Sequence, residues 1–268
     1  MAKYRRLINY PGSKWRMAET IIGHMPPHAG YLEPFFGSGA VFFNKPKSIV
    51  ETINDLDGRL VNMFEVIRND PERLQYLIKF TPYSREEFEL SDIVSPKPLE
   101  DARRMMVRLW MGVGGKTYSK PGFRKSVKPN GPYCAYEWTD LENRIGYAAA
   151  RLKDAQIECK DAIQLIKETD NEETLLYCDP PYVISSMVSE HYKHGFTTQQ
   201  HEELLQTLLK YKGKVILSGY HSEMYADALK EWYTDTKETK VGITTEKKSD
   251  RTEVLWMNFQ PDQQMNLL

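Results

Sequence analysis

The sequence predicts an α/β fold, a mostly parallel sheet flanked by helices, with a mainly helical segment inserted after the first quarter. Three observations predict it. Strand-length apolar runs alternate with amphipathic helical stretches up to about residue 70 and again after about residue 138. Between those limits strand patterns are weak, prolines are frequent and charges cluster. Near the end, "TKVGITTEKKSDRTEVLWMNF" holds two β-rich runs around a charged turn, consistent with an antiparallel hairpin at the sheet edge.

Composition sets the bounds. A chain of 268 residues, 41% hydrophobic and 27% charged, can build a real core as one large domain or two small ones. Its net charge of -1 means that a nucleic-acid partner needs a local basic patch. Cys134, Cys159 and Cys178 form no C-x-x-C pair, which argues against a disulfide framework or zinc site. No apolar run of membrane length and no apolar signal core is present. A soluble protein of the reducing cytoplasm is expected.

The elements come in order. "LINYPGSKWRMAETIIGHM" passes through a Pro11-Gly12 turn to Ser13, the expected N-cap of a helix with Ala18, Ile21, Ile22 and Met25 on one face. A strand over Tyr31 to Pro34 leads into a glycine turn and a short helix. A strand over Ile49 to Asn54 leads through an acidic turn into a helix that aligns Leu60, Phe64 and Ile67. After the insertion come a helix over Trp138 to Lys153, a strand in "AQIECKD", and the buried run of "ETLLYCDPPY". A helix over Thr198 to Tyr211, the strand "KVILSGY" and the helix "SEMYADALKEW" complete the series. The expected boundaries are 1–69 with 139–268 for the core and 70–138 for the insertion.

Two loops carry chemistry. Gly37 and Gly39 follow a strand and open a helix, where parallel sheets bind nucleotides and where glycines admit a ligand close to the backbone. Phe42 stands where a dinucleotide fingerprint has its third glycine. Asp55 ends the next strand, a position that commonly takes ribose hydroxyls; capping of the following helix is the plainer role, and Asp57 competes for either. A ribose-bearing ligand without phosphate fits best, which points to S-adenosylmethionine. In the second loop an apolar run stops at "DPPY" (179–182). Prolines end a central strand and stiffen the loop beyond it. With a methyl sulfonium nearby, Asp179 and the Pro180 carbonyl can accept the N–H groups of an exocyclic base amine and localise its lone pair. Tyr182 offers a face for an extruded base, worth roughly 1–3 kcal/mol. A strand-ending turn is the plainer reading of Asp-Pro alone.

Within the insertion, Arg103, Arg104, Arg108, Lys116, Lys120, Arg124, Lys125 and Lys128 occur with no acid between residues 103 and 128, and Trp110, Tyr118 and Phe123 are interleaved. A solvated face is the ordinary meaning of such a run. Basic side chains for phosphates with aromatics to wedge or stack make a DNA-facing surface the expectation.

The stretches "YPGSK" (10–14), "EPFFGSGAVFF" (33–43), "NDLD" (54–57), "DPPY" (179–182), "YKHGFTTQQHEEL" (192–204), "KVILSGY" (214–220) and "RTEVLWMNF" (251–259) run in family order over nearly the whole chain. Together they resemble the Dam-like class of DNA adenine methyltransferases. The resemblance implies a Rossmann-like, S-adenosylmethionine-dependent methyltransferase core with an inserted target-recognition domain. The implied reaction is methylation of the 6-amino group of an adenine flipped out of double-stranded DNA. Tyr10 and Lys14 would contact the cofactor near its methionine part, Phe35, Gly37 and Gly39 would form its loop, and Asp55 would take the ribose. Asp161 and Ala162 would lie near its adenine ring. Asp179 would touch both cofactor and target amine, and Tyr182 would stack on the target base. Arg108, Lys116, Tyr118, Lys120, Arg124, Lys125 and Lys128 are the expected DNA contacts. No metal is required, and a monomer is expected. GATC-specific members carry an Asn-Arg and a Phe-Asn-Gly-type stretch where this chain reads "LWMGVGGKTYSKPGFRKSVKPNG", so that recognition sequence is not carried over. Methylation of another nucleobase amine and a non-catalytic DNA-binding role are the alternatives.

Overall fold

The computed structural model describes residues 5–115, 117, 121–125, 134–182, 196–241 and 249–261. The apolar runs become one seven-stranded sheet of β1 (Gly30–Glu33), β2 (Val50–Asn54), β3 (Gln156–Glu158), β4 (Thr174–Cys178), β5 (Lys214–Tyr220), β6 (Tyr233–Val241) and β7 (Ser249–Met257), in the order β3-β2-β1-β4-β5-β7-β6. The first five in that order are mutually parallel, and β7 runs against both of its neighbours. Central strands buried on both faces read as continuous apolar runs, as β1 and β4 do. The strand order reverses between β1 and β4, so the loops leaving their carboxyl ends diverge and open a crevice.

Helices cover both faces. They are α1 (Ala18–Gly23), α2 (Ala40–Asn44), α3 (Gly58–Asn69), α4 (Pro71–Phe80), α5 (Arg85–Leu90), α6 (Pro98–Met111), α7 (Cys134–Trp138), α8 (Leu141–Leu152), α9 (Ala162–Glu168), α10 (Thr198–Lys210) and α11 (Glu223–Ala228). One buried cluster joins Tyr31, Phe43 and Phe64 with Trp110, and a second joins Leu32, Leu176 and Leu217 with Leu204 and Trp256.

Two expected boundaries move. α1 starts at Ala18 behind Met17, while Ser13 shares a 2.7 Å hydrogen bond with Ser38 instead of capping it. The expected helix over Trp138 to Lys153 starts later, as α8 after Asp140, and Trp138 ends a separate helix, α7.

Among the described residues, the helices of the 70–138 segment share the first buried cluster. α6 packs on α3 and α4 on α8, and Leu74, Ile78, Phe88 and Met106 join the first cluster. The Trp110 indole donates to the Leu7 carbonyl at 2.9 Å, and the Trp138 indole to the Thr81 carbonyl at 2.9 Å. The loop after α6 is pinned at its base. Gly112 bridges Phe123, Val113 N–H donates to the Gly122 carbonyl at 2.9 Å, and Arg124 N–H donates to the Met111 carbonyl at 2.6 Å. Phe123 packs against Tyr83 and Phe88, so it is an anchor in this arrangement.

The acid-free run is not a uniform basic surface either. Acids outside the window fold back onto α6. Arg103 pairs with Glu100 at 2.8 Å and Glu87 at 2.6 Å, Arg104 with Glu100 at 2.8 Å, and Arg108 with Asp92. Arg108, expected to contact DNA, is buried and reaches the Thr117 carbonyl at 3.4 Å.

Under α2 lies a buried charge cluster. The Glu51 carboxylate accepts from Lys45 at 2.6 Å and from Arg151 at 2.8 Å, and the Arg151 guanidinium lies 3.7 Å over the Phe42 ring. Removing one partner of such a group strands the others. Glu51→Ala, which leaves two buried cations, is expected to cost about 3–5 kcal/mol. Urea unfolding should show a lower midpoint with an unchanged slope.

Candidate active site

The cleft forms where β1, β2 and β4 end. β1 hands over to Pro34-Phe35-Phe36, and the chain turns through Gly37 and Gly39 at φ of 49° and 63°. A Cβ on Gly39 would sit 2.4 Å from the Phe36 ring, and one on Gly37 would sit 3.0 Å from Tyr10. Only glycine fits this turn.

The loop after β2 divides its labour among three side chains. Asp57 caps α3, accepting from Arg59 N–H at 3.1 Å. Asp55 does not share that duty and accepts from Gly37 N–H and Asp57 N–H, each at 2.9 Å. It therefore holds the glycine loop in shape at the cleft wall. Asn54, which sequence reasoning passed over, is fully buried. Its amide donates to the Pro34 carbonyl at 2.9 Å and the Lys160 carbonyl at 3.1 Å, and accepts from Lys160 N–H at 2.8 Å. One side chain thus clips together the loops after β1, β2 and β3. Asp161 caps α9 through Gln164 N–H at 2.9 Å, and with Ala162 it lines the cleft. Phe35 meets Phe196 edge-on at 5.7 Å.

At the end of β4 the acid-proline loop meets the N-terminal segment. The Lys14 ammonium lies 2.8 Å from Asp179 Oδ1, 3.2 Å from Glu253 Oε1 and 3.1 Å from the Gly12 carbonyl, and also donates to the Tyr182 hydroxyl. Burial alone would lower the lysine pKa; the facing Asp179, Tyr177 and Glu253 outweigh it and hold the group well above its ordinary range. Lys14 is thus a fixed cation. Asp179 Oδ1 also accepts from the Ser218 hydroxyl at 3.0 Å. Burial pushes the Asp179 carboxyl up, with Lys14 opposing.

Tyr182, expected as a stacking platform, has its ring 4.1 Å from that of Tyr220 at a 36° tilt, and its hydroxyl donates to Glu253 at 3.2 Å. Lys14, expected to touch a ligand directly, spends its ammonium on protein oxygens. Arg124 is half-buried and Lys125 exposed; Lys116, Tyr118, Lys120 and Lys128 lie outside the described residues.

Asp55, Asp57, Asp161 and Asp179 line the cleft beside Glu33, whose burial keeps it protonated near neutral pH, and Lys14 is the only basic residue among its described lining. Such a wall suits a cationic ligand and repels a pyrophosphate. Sequence reasoning missed Glu33 and Glu253. Their signal was an acid adjoining an apolar run, at the end of "GYLE" and at the head of "EVLWM".

A parallel sheet with one reversed strand, a glycine turn at its switch point and an acid-proline loop beside it define a Rossmann-like methyltransferase core. The chain belongs to the D12 class N6 adenine-specific DNA methyltransferase family, whose profile matches residues 10–247. It is an adenine-specific DNA methyltransferase. It is similar to a DNA adenine methylase of Vibrio cholerae, 24% identical over 85% of this chain and 86% of the relative. A DNA adenine methylase of Escherichia coli is 22% identical over 88% and 87%. The DNA N-6-adenine-methyltransferase of Escherichia phage P1 is 25% identical over 66% of this chain and 24% of its own length. A solved structure, a precorrin 8W decarboxylase of Methanobacterium thermoautotrophicum, covers 96% of this chain and 98% of its own at 7% identity, but its TM-score of 0.39 carries no argument.

Glu33 gives this site a pH signature. Burial, against the Tyr31 hydroxyl donating at 2.7 Å, pushes its carboxyl from 4.5 up to about 8. Between those values the folded chain holds a proton that the unfolded chain has lost, so the Glu33 contribution makes stability fall as pH rises. Glu33→Gln should flatten that fall. Melting temperatures of the two proteins across this pH window test it.

Proposed function

We propose that this chain transfers the methyl group of S-adenosylmethionine to the 6-amino group of an adenine extruded from double-stranded DNA, at a specific site. The observation that carries this reading is the acid-lined cleft that runs directly into Asp179. The cofactor supplies an activated methyl on a sulfonium, and its leaving group is neutral. Its two cationic groups suit the acidic wall, and its lack of phosphate suits the scarcity of basic side chains there. Gly37, Gly39 and Phe35 would hold it by close backbone approach, with Tyr10 across the turn from Gly37. Asp55 would meet the ribose, and Asp161 and Ala162 the adenine ring.

The target amine is presented by the rigid loop. Lys14 and Ser218 occupy Asp179 Oδ1, and no described residue bonds Oδ2. Oδ2 and the Pro180 carbonyl accept the two N–H groups of the amine, which localises its lone pair for attack. Asp179 then takes the surplus proton. Tyr182 stacks on the extruded base.

The 70–138 segment is the target-recognition element of this reading. In this reading Lys116, Tyr118, Lys120, Arg124, Lys125 and Lys128 contact phosphates and bases. Arg108 supports the loop after α6 from behind through Thr117.

Asp179→Ala should lower methyl transfer to duplex DNA by at least about 100-fold while DNA binding persists. Labelled cofactor and nucleoside analysis should identify N6-methyladenine. Near wild-type turnover in the variant, or methylcytosine as the sole product, would overturn the reading.

A further inference from the structure

Glu253 belongs to none of the loops that carry the chemistry, yet its carboxylate lies among the reacting side chains. The geometry explains how it gets there. β7 runs against both of its neighbours, and its register sets Glu253 opposite Tyr220, the last residue of β5. The reversed strand therefore delivers its central residue to the edge at which the parallel strands end. That is the edge of Asp179.

At this edge the Glu253 side chain is 5% exposed. It accepts from the Lys14 ammonium at 3.2 Å and from the Tyr182 hydroxyl at 3.2 Å, both on Oε1. Tyr182 sits on Tyr220, the cross-strand partner of Glu253. Lys14 has four protein oxygens around three N–H groups, so it is saturated. Two carboxylates share this one ammonium. For the fold alone, an apolar residue among Val254, Leu255, Trp256 and Met257 would serve as well, since a buried ion pair adds little stability over a well-packed isostere.

We propose that Glu253 is a positioning residue for methyl transfer: by gathering the Lys14 ammonium and the Tyr182 hydroxyl at one oxygen, it fixes the two ends of the Asp-Pro-Pro-Tyr loop relative to each other. This rests on the roles proposed for Asp179 and Tyr182. Lys14 is then a positioning residue too, acting through both.

The test is a cycle of substitutions read by kinetics and by melting. Glu253→Gln keeps an acceptor but drops the charge. It should lower kcat about tenfold with the KM for cofactor within about twofold, because the arrangement of the target side suffers and that of the cofactor side does not. Lys14→Met leaves two buried carboxylates facing each other, so it should melt lower and lose more activity. Adding Glu253→Gln to Lys14→Met should raise both the melting temperature and kcat above those of Lys14→Met alone. One substitution is thus harmful by itself and helpful beside the other. A kcat for Glu253→Gln within about twofold of wild type, or effects that simply multiply, overturns the proposal. If Glu253→Gln does not fold, Tyr182→Phe keeps the ring and removes the tether; it should cost about fivefold in kcat, and no loss overturns the proposal. Failure here leaves the proposed function standing as long as wild type methylates adenine and Asp179→Ala does not. If wild type makes no methyladenine, the proposed function fails, while the melting cycle still reads the Lys14 and Glu253 pair.

Discussion

A single buried ammonium, that of Lys14, binds together three parts of the chain that are far apart in sequence. Burying a lysine is costly unless carboxylates surround it. Here Asp179 and Glu253 do so at 2.8 and 3.2 Å. The consequence runs both ways. The lysine stays charged, and Asp179 gains a partner that opposes the upward push of burial. The N-terminal turn, the loop after β4 and the reversed β7 must all be in place before this balance exists. The strand order of the sheet is what puts them at one edge.

Around that centre the loops are held by polar side chains, each with a single task. Asn54 clips three loops, Asp55 shapes the glycine turn, and Asp57 caps α3. Since Asp57 has the capping role, Asp55 can face the cleft. Two acids two residues apart looked interchangeable in the sequence; their backbone partners separate them.

Much of the fold was legible because it depends on local rules. The apolar runs, the glycine turn after β1 and the prolines after β4 each punctuate the chain at short range. The cleft lining was legible for the same reason, since a ligand site at strand ends recruits the residues that come just after strands. What escaped depends on distant partners. Arg103, Arg104 and Arg108 form an acid-free run only along the sequence, and Glu87, Asp92 and Glu100 neutralise them in space. Ser13 had the chemistry of a cap but found Ser38. Glu253 reads as a polar residue in an edge strand until the reversed direction of β7 brings it to Lys14.

The place of β7 also bears on how the protein comes into being. It slots between β5 and β6, both of which precede it along the chain. Synthesis proceeds from the N-terminus at about 5–20 residues per second, so the acid-proline loop exists for roughly 4–14 s before Glu253 is added. Through that interval Lys14 and Tyr182 lack their common acceptor, and β6, made near its end, still waits for a neighbour to join. A nascent chain can thus form its cleft before the Lys14 ammonium has its full set of acceptors. The Lys14 ammonium gains its second carboxylate only with β7.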